Sequence, residues 1–474
     1  MRPFSLHAPL ALLRGGWYRD VRVLIGEDGC LEDVRHDSKP AAGDRRLSGR
    51  ALLPAPANLH SHGFQRALAG RIQRHGPGAD SFWSWRQLMY RFLAALTPEM
   101  IGAITAQAQM EMCEAGYGAV AEFHYLHHAP GGRAYADPAQ TSQSIIGAAE
   151  DTGIGLTLLP VLYAAGGADG RAPAGAQLRF ACDADGYGRL WAAAARSLKR
   201  GPDAYSTSSY STSAYSTGDW NIGIAPHSLR AVPRPLLDEV VDAHPAGPVH
   251  IHIAEQMAEV DEIEHAWGAR PVAWLLDHHD VDRRWCLVHA THINDEECHR
   301  LAATGAVAGL CPITEADLGD GVFPAAAFTA ASGRLGVGTD SNIGITLAGE
   351  LRLLEYSQRL TLGQRNVLAR AEQATGRALF DAALSGGAAA LGRNAGAIEP
   401  GRLADLLTLD TNAVGLHGLN GDELLDGWIF SALESPVAEV WSAGRQTVEA
   451  GRHVAREAIT AGYRKALDEL MAVA

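Results

Sequence analysis

Short apolar runs alternate with helical stretches along most of the chain, from Leu52 to about Leu391. Runs of this kind are typical of strands buried in a parallel sheet, so the alternation predicts an α/β fold. Eight runs are present, which is the strand number of a (β/α)8 barrel. Their carboxyl ends are expected near Leu59-His60, Phe123-His124, Leu159-Pro160, Ala225-Pro226, Ile251-His252, Val288-His289, Gly309-Leu310 and Gly338-Thr339.

The two ends of the chain have a different pattern, of short strands separated by turns. We interpret residues 1–53 as the N-terminal part of a small β-sandwich domain, and residues 391–474 as its C-terminal part followed by a terminal helix. Residues 54–390 then form a (β/α)8 TIM-like barrel. The predicted fold class is α/β, with the β-sandwich assembled from both ends of the chain.

One helix between the first two predicted strands is marked at both ends. Thr97 can cap it, Pro98 stands at its first position, and Gly116 ends it. The spacing of its apolar residues gives it one buried face, made by Ile101, Ile104, Ala108 and Met112.

Charge and composition exclude several classes of partner. The chain has 474 residues and a formal net charge of -14, and a field of that sign repels nucleic acid and anionic membranes. No apolar run approaches the ~20 residues of a membrane span, and residues 1–14 lack the features of a secretory leader. The six cysteines lie far apart, without the spacing of a disulfide framework or a cysteine zinc site. We therefore expect a cytoplasmic protein with a small-molecule partner, no nucleic acid and no membrane.

Segment 204–218 is anomalous because it repeats Tyr-Ser-Thr units at Tyr205, Tyr210 and Tyr215. Its low hydrophobicity and many hydroxyl groups predict a flexible insertion. We assign no chemistry to it.

Histidines and acids gather at the predicted strand ends, where barrel enzymes hold their active sites. His60 and His62 close the first strand, His252 and Glu255 the fifth, and His289 the sixth, while Asp340 follows the eighth. Any one of them alone is better explained as a satisfied polar residue at a strand end. Their coincidence at one rim instead predicts a metal site with ligands His60, His62, His252 and Asp340. We interpret His250 as pointing oppositely and as structural.

The donor set suits one divalent cation, and three imidazoles with one carboxylate favour Zn²⁺. A binuclear site of this kind would need a lysine at a strand end, whereas the three lysines, Lys39, Lys199 and Lys465, lie elsewhere. Such a cation activates water, and Asp340 can accept the proton of that water. His289 is predicted to orient the hydroxide and stabilise the tetrahedral intermediate, and Glu255 to carry a proton to the leaving nitrogen.

Several longer stretches resemble the formiminoglutamate deiminases of the amidohydrolase superfamily. The histidine pattern with a late aspartate marks only the superfamily, whereas the Trp-Ser-Trp-Arg, His-Tyr-Leu-His-His and Pro-His-Ser-Leu-Arg segments are more specific. The resemblance is carried by Leu59-His-Ser-His-Gly-Phe-Gln-Arg66, Asp80-Ser-Phe-Trp-Ser-Trp-Arg86, Glu122-Phe-His-Tyr-Leu-His-His128, Ala225-Pro-His-Ser-Leu-Arg230, His250-Ile-His-Ile-Ala-Glu-Gln256 and Leu310-Cys-Pro-Ile-Thr-Glu-Ala-Asp-Leu-Gly-Asp-Gly321.

This resemblance implies hydrolysis of N-formimino-L-glutamate to N-formyl-L-glutamate and ammonia, a step of histidine degradation, by a homodimer. Arg86 and Arg230 can each offer a planar pair of donors to one carboxylate of this dianionic substrate. The resemblance further implies that Gln65, Tyr125 and His227 help to hold the substrate. Thr339 and Asn342 depart from the family pattern, which has serine and histidine at these positions.

Three alternatives remain open from the residues alone. One is a shorter substrate, formimino-L-aspartate. Another is a deaminase of the same superfamily acting on a guanine, cytosine or triazine ring, for which Arg86 and Arg230 would lie far from the metal with an aromatic slot between them. The last is a binding or structural protein that keeps a metal without turnover, although such a protein has little use for Glu255 and His289.

Overall fold

The computed structural model describes residues 2–73, 82–199 and 219–473. The tyrosine-rich repeat and the flexibility predicted for it lie outside the described residues. None of the described helices combines the length and the apolar character that crossing a bilayer requires.

Eight successive strand positions form the predicted barrel. Strands β6 to β10 make one parallel sheet in which β8 pairs with β7, β9 and β10, and strands β11 to β14 make a second parallel sheet in sequence order. Parallel bridges from Ile224 to Val249 and from Ser61 to Asp340 join the two sheets at both seams. The strands are β6 (Ala57–Ser61), β7 (Ala119–His124), β8 (Gly155–Leu162), the broken pair β9 (Trp220–Ile222) and β10 (Ala225–Pro226), β11 (Val249–Ile253), β12 (Trp285–His289), β13 (Val307–Leu310) and β14 (Arg334–Val337).

Helices follow the barrel strands, as a right-handed parallel fold requires. In chain order they are α1 (Phe82–Leu93), α2 (Pro98–Ala115), α3 (Gln140–Thr152), α4 (Ala184–Lys199), α5 (Arg234–Ala243), α6 (Met257–Trp267), α7 (Pro271–His278), α8 (Asp295–Thr304), α9 (Pro312–Leu318), α10 (Ala325–Ala330), α11 (Leu347–Leu362), α12 (Thr375–Ala390), α13 (Glu423–Asp426) and α14 (Arg456–Val473).

The boundaries predicted for the second of these helices are confirmed. The Thr97 side chain accepts a hydrogen bond from the backbone N–H of Met100, and Pro98 begins α2. Gly116 ends the helix with a φ of 102°, a conformation that glycine adopts without steric cost. The predicted apolar face is buried.

Both ends of the chain build one nine-stranded sheet, so the predicted union of the terminal segments is confirmed. Residues 50–54 and 406–410 meet in the antiparallel pair of β5 and β15, which joins the N-terminal strands to the C-terminal ones. The strands are β1 (Phe4–Leu13), β2 (Gly16–Ile25), β3 (Leu31–Arg35), β4 (Arg45–Arg46), β5 (Arg50–Pro54), β15 (Leu406–Asp410), β16 (Val437–Ser442), β17 (Arg445–Glu449) and β18 (Arg452–His453). On this pairing we propose domain boundaries at 1–53, 54–390 and 391–474.

Candidate active site

Four side chains from three separate strand ends converge at the carboxyl end of the barrel. One ligand atom from each of His60, His62, His252 and Asp340 lies within 4.8 Å of the others, and all four residues are buried. The Nε2 atom of His60 lies 3.3 Å from that of His62 and 3.0 Å from that of His252. An Asp340 carboxylate oxygen lies 3.2 Å from His62 Nε2.

The protonation of these histidines shows that the cluster fits a cation. His62 Nδ1 donates to the Phe123 carbonyl at 2.8 Å, and His252 Nδ1 donates to the His227 carbonyl at 3.2 Å. Each Nε2 therefore carries a lone pair directed into the cluster. Burial lowers the pKa of His60 to about 3 and lowers the pKa of both other imidazoles. Neutral lone pairs facing one another around a carboxylate repel, and a divalent cation between them removes the repulsion.

His250 lies outside this cluster, and its Nε2 donates to the Ala390 carbonyl at 2.8 Å. The structural role predicted for it agrees with that bond. The predicted opposite direction was wrong, because residues two apart in a strand face the same side. His250 and His252 differ in depth along β11, so only His252 reaches the rim.

At several strand ends the chain contains a residue in the left-handed conformation. The φ angles of Ala254, His289 and Asp340 are 50°, 68° and 44°. For residues with a side chain this conformation is uncommon, and such strain gathers at functional sites. Here it turns the chain at the rim, next to residues of the cluster and the cavity.

Glu255 and His289 stand together beside the metal-ligand cluster. The His289 Nε2 atom is 3.8 Å from a Glu255 oxygen and 3.8 Å from an Asp340 oxygen. Burial raises the pKa of Glu255 to about 7, although His289 opposes the rise. Burial would lower the pKa of His289, but Glu255, Glu315 and Asp340 outweigh it and raise that pKa to about 10. Near neutral pH the Glu255 carboxyl can therefore gain or lose a proton, while the neighbouring His289 imidazole keeps its own.

The two departures from the family pattern support the backbone of Asp340. Thr339 Oγ1 accepts from Asn58 Nδ2 at 2.7 Å and donates to Asn342 Oδ1 at 2.6 Å. Asn342 Nδ2 in turn donates to Ser61 Oγ and to the His62 and Asp340 carbonyls. These residues hold the first and eighth strand ends together and do not face the cavity.

One cavity is lined by His62, His252 and Asp340 of the cluster and by all five residues predicted to hold the substrate. These five are Gln65, Arg86, Tyr125, His227 and Arg230. Gln65 donates to the Tyr125 hydroxyl at 2.9 Å, and the Arg86 guanidinium lies 5.6 Å from the centre of the Tyr90 ring. Both arginines therefore open onto the space beside the metal ligands.

Arg230 is held in a strongly acidic setting. Burial would lower the pKa of its guanidinium, but Glu259, Tyr163 and Glu255 outweigh this effect and raise it. Glu259 is itself buried and accepts from the Glu255 backbone N–H at 3.2 Å. The arginine thus keeps its charge at the cavity wall.

Sequence reasoning missed several residues of this site. Tyr163, Phe180 and Leu318 line the cavity wall. Glu315 contacts His289 Nδ1 at 3.2 Å, and Asp320 lies with Glu255 and His289 in a second group of potential ligands. The signal for the acids was present, because both belong to the Thr-Glu-Ala-Asp-Leu-Gly-Asp stretch after strand β13. The prediction assigned no catalytic or binding role to the residues that follow strand β13.

A larger cleft lies at the opposite end of the strands, and its lining residues differ from those of the active-site cavity. Arginines such as Arg283, Arg284 and Arg334 line it, beside Asp381 and Glu399. No histidine lines it, and it lies at the amino ends of the strands, so the active-site assignment rests with the carboxyl end.

Comparison with known proteins identifies the family. Residues 51–447 match the model of the amidohydrolase family. The chain belongs to the amidohydrolase family. Residues 5–48 of this amidohydrolase also match the model described as "Formimidoylglutamate deiminase HutF, N-terminal domain".

Full-length relatives of this amidohydrolase are known. A formimidoylglutamate deiminase of Pseudomonas aeruginosa is 47% identical over 470 residues, which cover 98% of this chain and 99% of the relative. The crystal structure of an amidohydrolase from Brucella melitensis is 44% identical, with a TM-score of 0.92, and covers 99% of this chain and 100% of that one. An adenosine deaminase from Xanthomonas campestris with bound zinc shares the fold at 23% identity, with a TM-score of 0.78, and covers 99% of this chain and 98% of that one. The predicted barrel with a terminal β-sheet domain, and the predicted family, are thereby confirmed.

Proposed function

We propose that this chain hydrolyses N-formimino-L-glutamate to N-formyl-L-glutamate and ammonia in histidine degradation. The observation that carries the proposal is the single cavity that joins a buried cluster of three histidines and one aspartate to two arginines. The formimidoylglutamate deiminase of P. aeruginosa, which matches this chain over 99% of its own length, supports the same activity. The N-terminal family match supports it independently.

The substrate is a dianion with a polar amidine at one end. We assign Arg86 and Arg230 to its two carboxylates, since a guanidinium binds a carboxylate through two parallel hydrogen bonds. Gln65, Tyr125 and His227 would contact the rest of the substrate. A ring amine has no carboxylates to pair with these arginines, so their position in the cavity favours the linear amidine over guanine, cytosine or a triazine.

The residues that would hold the metal are His60, His62, His252 and Asp340, with one cation per chain. Three imidazole nitrogens and one carboxylate oxygen suit Zn²⁺, which leaves a position open for water in sites of this kind. Bound there, the cation would bring the pKa of water toward about 7 and polarise the amidine. The zinc bound by the Xanthomonas deaminase, which has the same fold, is consistent with this choice.

The protein side chains would then move the protons. Asp340 accepts one proton from the attacking water, while His289 donates a hydrogen bond to the oxygen that attacks the formimino carbon. A C–O bond forms, and Glu255 delivers protons to the terminal nitrogen. The C–N bond to that nitrogen breaks and ammonia leaves. One water supplies the formyl oxygen and both protons gained by the nitrogen, so the reaction balances without another reactant.

The test is ammonia release from formimino-L-glutamate, formimino-L-aspartate and guanine by enzyme reconstituted with zinc. We expect turnover of the glutamate compound, with a higher kcat/KM than for the aspartate compound and no reaction with guanine. Higher kcat/KM with formimino-L-aspartate would transfer the assignment to the shorter substrate. Turnover of guanine alone would overturn it, and metal binding without ammonia from any of the three would support a protein without catalysis.

We further propose the homodimer that the family resemblance implies. Its test is the molar mass of the purified protein by light scattering over a range of concentrations. A mass of one chain at every concentration would exclude it.

A further inference from the structure

We propose that Glu315 is a positioning residue for the deimination, which holds the proton on His289 Nδ1 and fixes the direction of the His289 ring. The inference rests on the proposed function, in which His289 touches the reacting atoms. Nothing in the sequence motifs assigned Glu315 a role. Three features of the structure carry the assignment.

The first feature is the contact between the two side chains. A Glu315 carboxylate oxygen lies 3.2 Å from His289 Nδ1, on the edge of the ring opposite Nε2. Nε2 is the atom that faces Glu255 and Asp340. A carboxylate at Nδ1 keeps a proton on that nitrogen and fixes the ring so that Nε2 faces Glu255 and Asp340.

The second feature is that Glu315 is itself held rigidly. The same oxygen accepts from the Cys311 backbone N–H at 2.8 Å. The carboxylate is buried, and Glu315 lies in the short helix α9 (Pro312–Leu318), which Gly319 caps. A side chain fixed in this way can fix the ring that it contacts.

The third feature is the strained backbone of His289. With a φ of 68°, followed by 49° at Ala290, the chain turns out of strand β12 in a conformation that such residues seldom adopt. Within the described residues, Glu315 is the group that contacts Nδ1 at hydrogen-bonding distance.

The test compares Glu315→Ala and Glu315→Gln in the full-length zinc enzyme. Because loss of such a partner commonly costs about 10- to 100-fold in activity, we expect Glu315→Ala to lower kcat by that factor with little change in KM or zinc content. Glu315→Gln keeps an acceptor for the Nδ1 proton, so it should recover part of the loss. Glu297→Gln is the matched control. Glu297 is another buried carboxylate that accepts backbone N–H groups, those of Asn294 and Ala273, but it lies in the first turn of α8 and does not line the cavity.

A mutational cycle separates positioning from a general loss of packing. If Glu315 acts through His289, then Glu315→Ala should have no further effect on kcat in the His289→Ala background. An equal loss in both backgrounds, or an unchanged kcat in the single variant, would overturn the proposal. Loss of zinc from Glu315→Ala would also overturn it, because it would make the residue part of the metal site.

A spectroscopic measurement keeps this inference distinct from the substrate assignment. The imidazole ¹⁵N signals of His289, identified by their absence in His289→Ala, should report a protonated Nδ1 in the wild type and exchange between tautomers in Glu315→Ala. This result does not depend on which substrate the enzyme uses. A wild-type enzyme inactive on formimino-L-glutamate would refute the proposed substrate, whereas an Nδ1 without a proton would refute the role of Glu315.

Discussion

Asp219 and Asp340 are both buried aspartates next to barrel strands, but their surroundings differ in kind. Asp219 precedes β9 and is bound by Arg393 at 2.7 Å and by Arg445, and Arg393 also bonds Asp405 at 2.6 Å. Asp340 follows β14 and lies beside His60 and His62, whose pKa values are lowered, and 3.8 Å from the Nε2 atom of His289. One charge is neutralised by arginines, and the other is surrounded by imidazoles.

The pKa values lead to the same distinction. Burial would raise the pKa of Asp219, but the two arginines outweigh it and lower that pKa. Burial would also raise the pKa of Asp340, but the imidazoles of His60, His62 and His289 outweigh it and lower that pKa. His60 is neutral at pH 7, since its own pKa is about 3. The Asp340 carboxylate therefore depends on imidazoles, which can also bind a metal, whereas Asp219 is bound by two arginines, which cannot. This difference separates the candidate metal site from a network that supports the fold.

Removing the metal should have the largest effect on this comparison. We expect dialysis against a chelator to abolish ammonia release and Zn²⁺ to restore it. His252→Ala should lose both zinc and turnover, because it removes an imidazole from the donor set. His250→Gln, altered two residues earlier on the same strand, should keep both. Full activity in the metal-free protein would show that the two aspartates do not differ in this way.

Removing Glu255 tests the chemistry apart from the metal. Glu255→Ala should lower kcat by about 10²- to 10⁴-fold, the usual contribution of a general acid or base, while zinc stays bound. Measured metal content and single-turnover rates check this. An active Glu255→Ala enzyme would refute the proton-transfer role.

Substitution of Arg230 tests whether its guanidinium binds a carboxylate of the substrate. Arg230→Ala should raise KM for formimino-L-glutamate about 10- to 100-fold, because a hydrogen bond to a charged group contributes about 1.5–3 kcal/mol. Steady-state kinetics measure the effect, with Arg234→Ala as control. Arg234 is more than half exposed and near Asp238. An unchanged KM would assign Arg230 to the support of Glu259 alone.

Breaking the arginine network should affect stability and spare catalysis. Arg393→Ala leaves two buried carboxylates without this partner, so we expect a loss of about 3–5 kcal/mol in the free energy of unfolding. The kcat/KM of the folded enzyme should stay within about twofold, since distant sites act independently. Denaturant unfolding and kinetics on the same preparation distinguish the two effects. A large fall in kcat/KM would show that the Asp219 network also affects the active site.

The smallest effect that we expect is a change in how the free energy of unfolding depends on pH when Asp219 is substituted. The pKa of Asp219 in the folded protein lies below the ordinary value of about 3.9, so its contribution to stability is complete above that pH. The contribution is lost as the pH falls through the lower, folded value. Asp219→Asn should therefore flatten the dependence of stability on pH below about 4. An unchanged slope would mean that Asp219 is not the group that titrates there.

Local patterns were sufficient to predict the barrel, the ends of α2 and the donors His60, His62, His252 and Asp340, because strand alternation, helix caps and strand ends are read from neighbouring residues. The resemblance added Gln65, Arg86, Tyr125, His227 and Arg230, all of which line the cavity. Their roles remain predictions.

The contact of Glu315 with His289, the depth of His250 and the Asp219 network depended on the tertiary structure. Each joins residues far apart in the chain, and Asp219 is 174 positions from Arg393. The sequence alone determined which groups reach the strand ends. Which buried charge meets a permanent partner is decided by distances of a few ångströms between separate elements, which no local periodicity encodes.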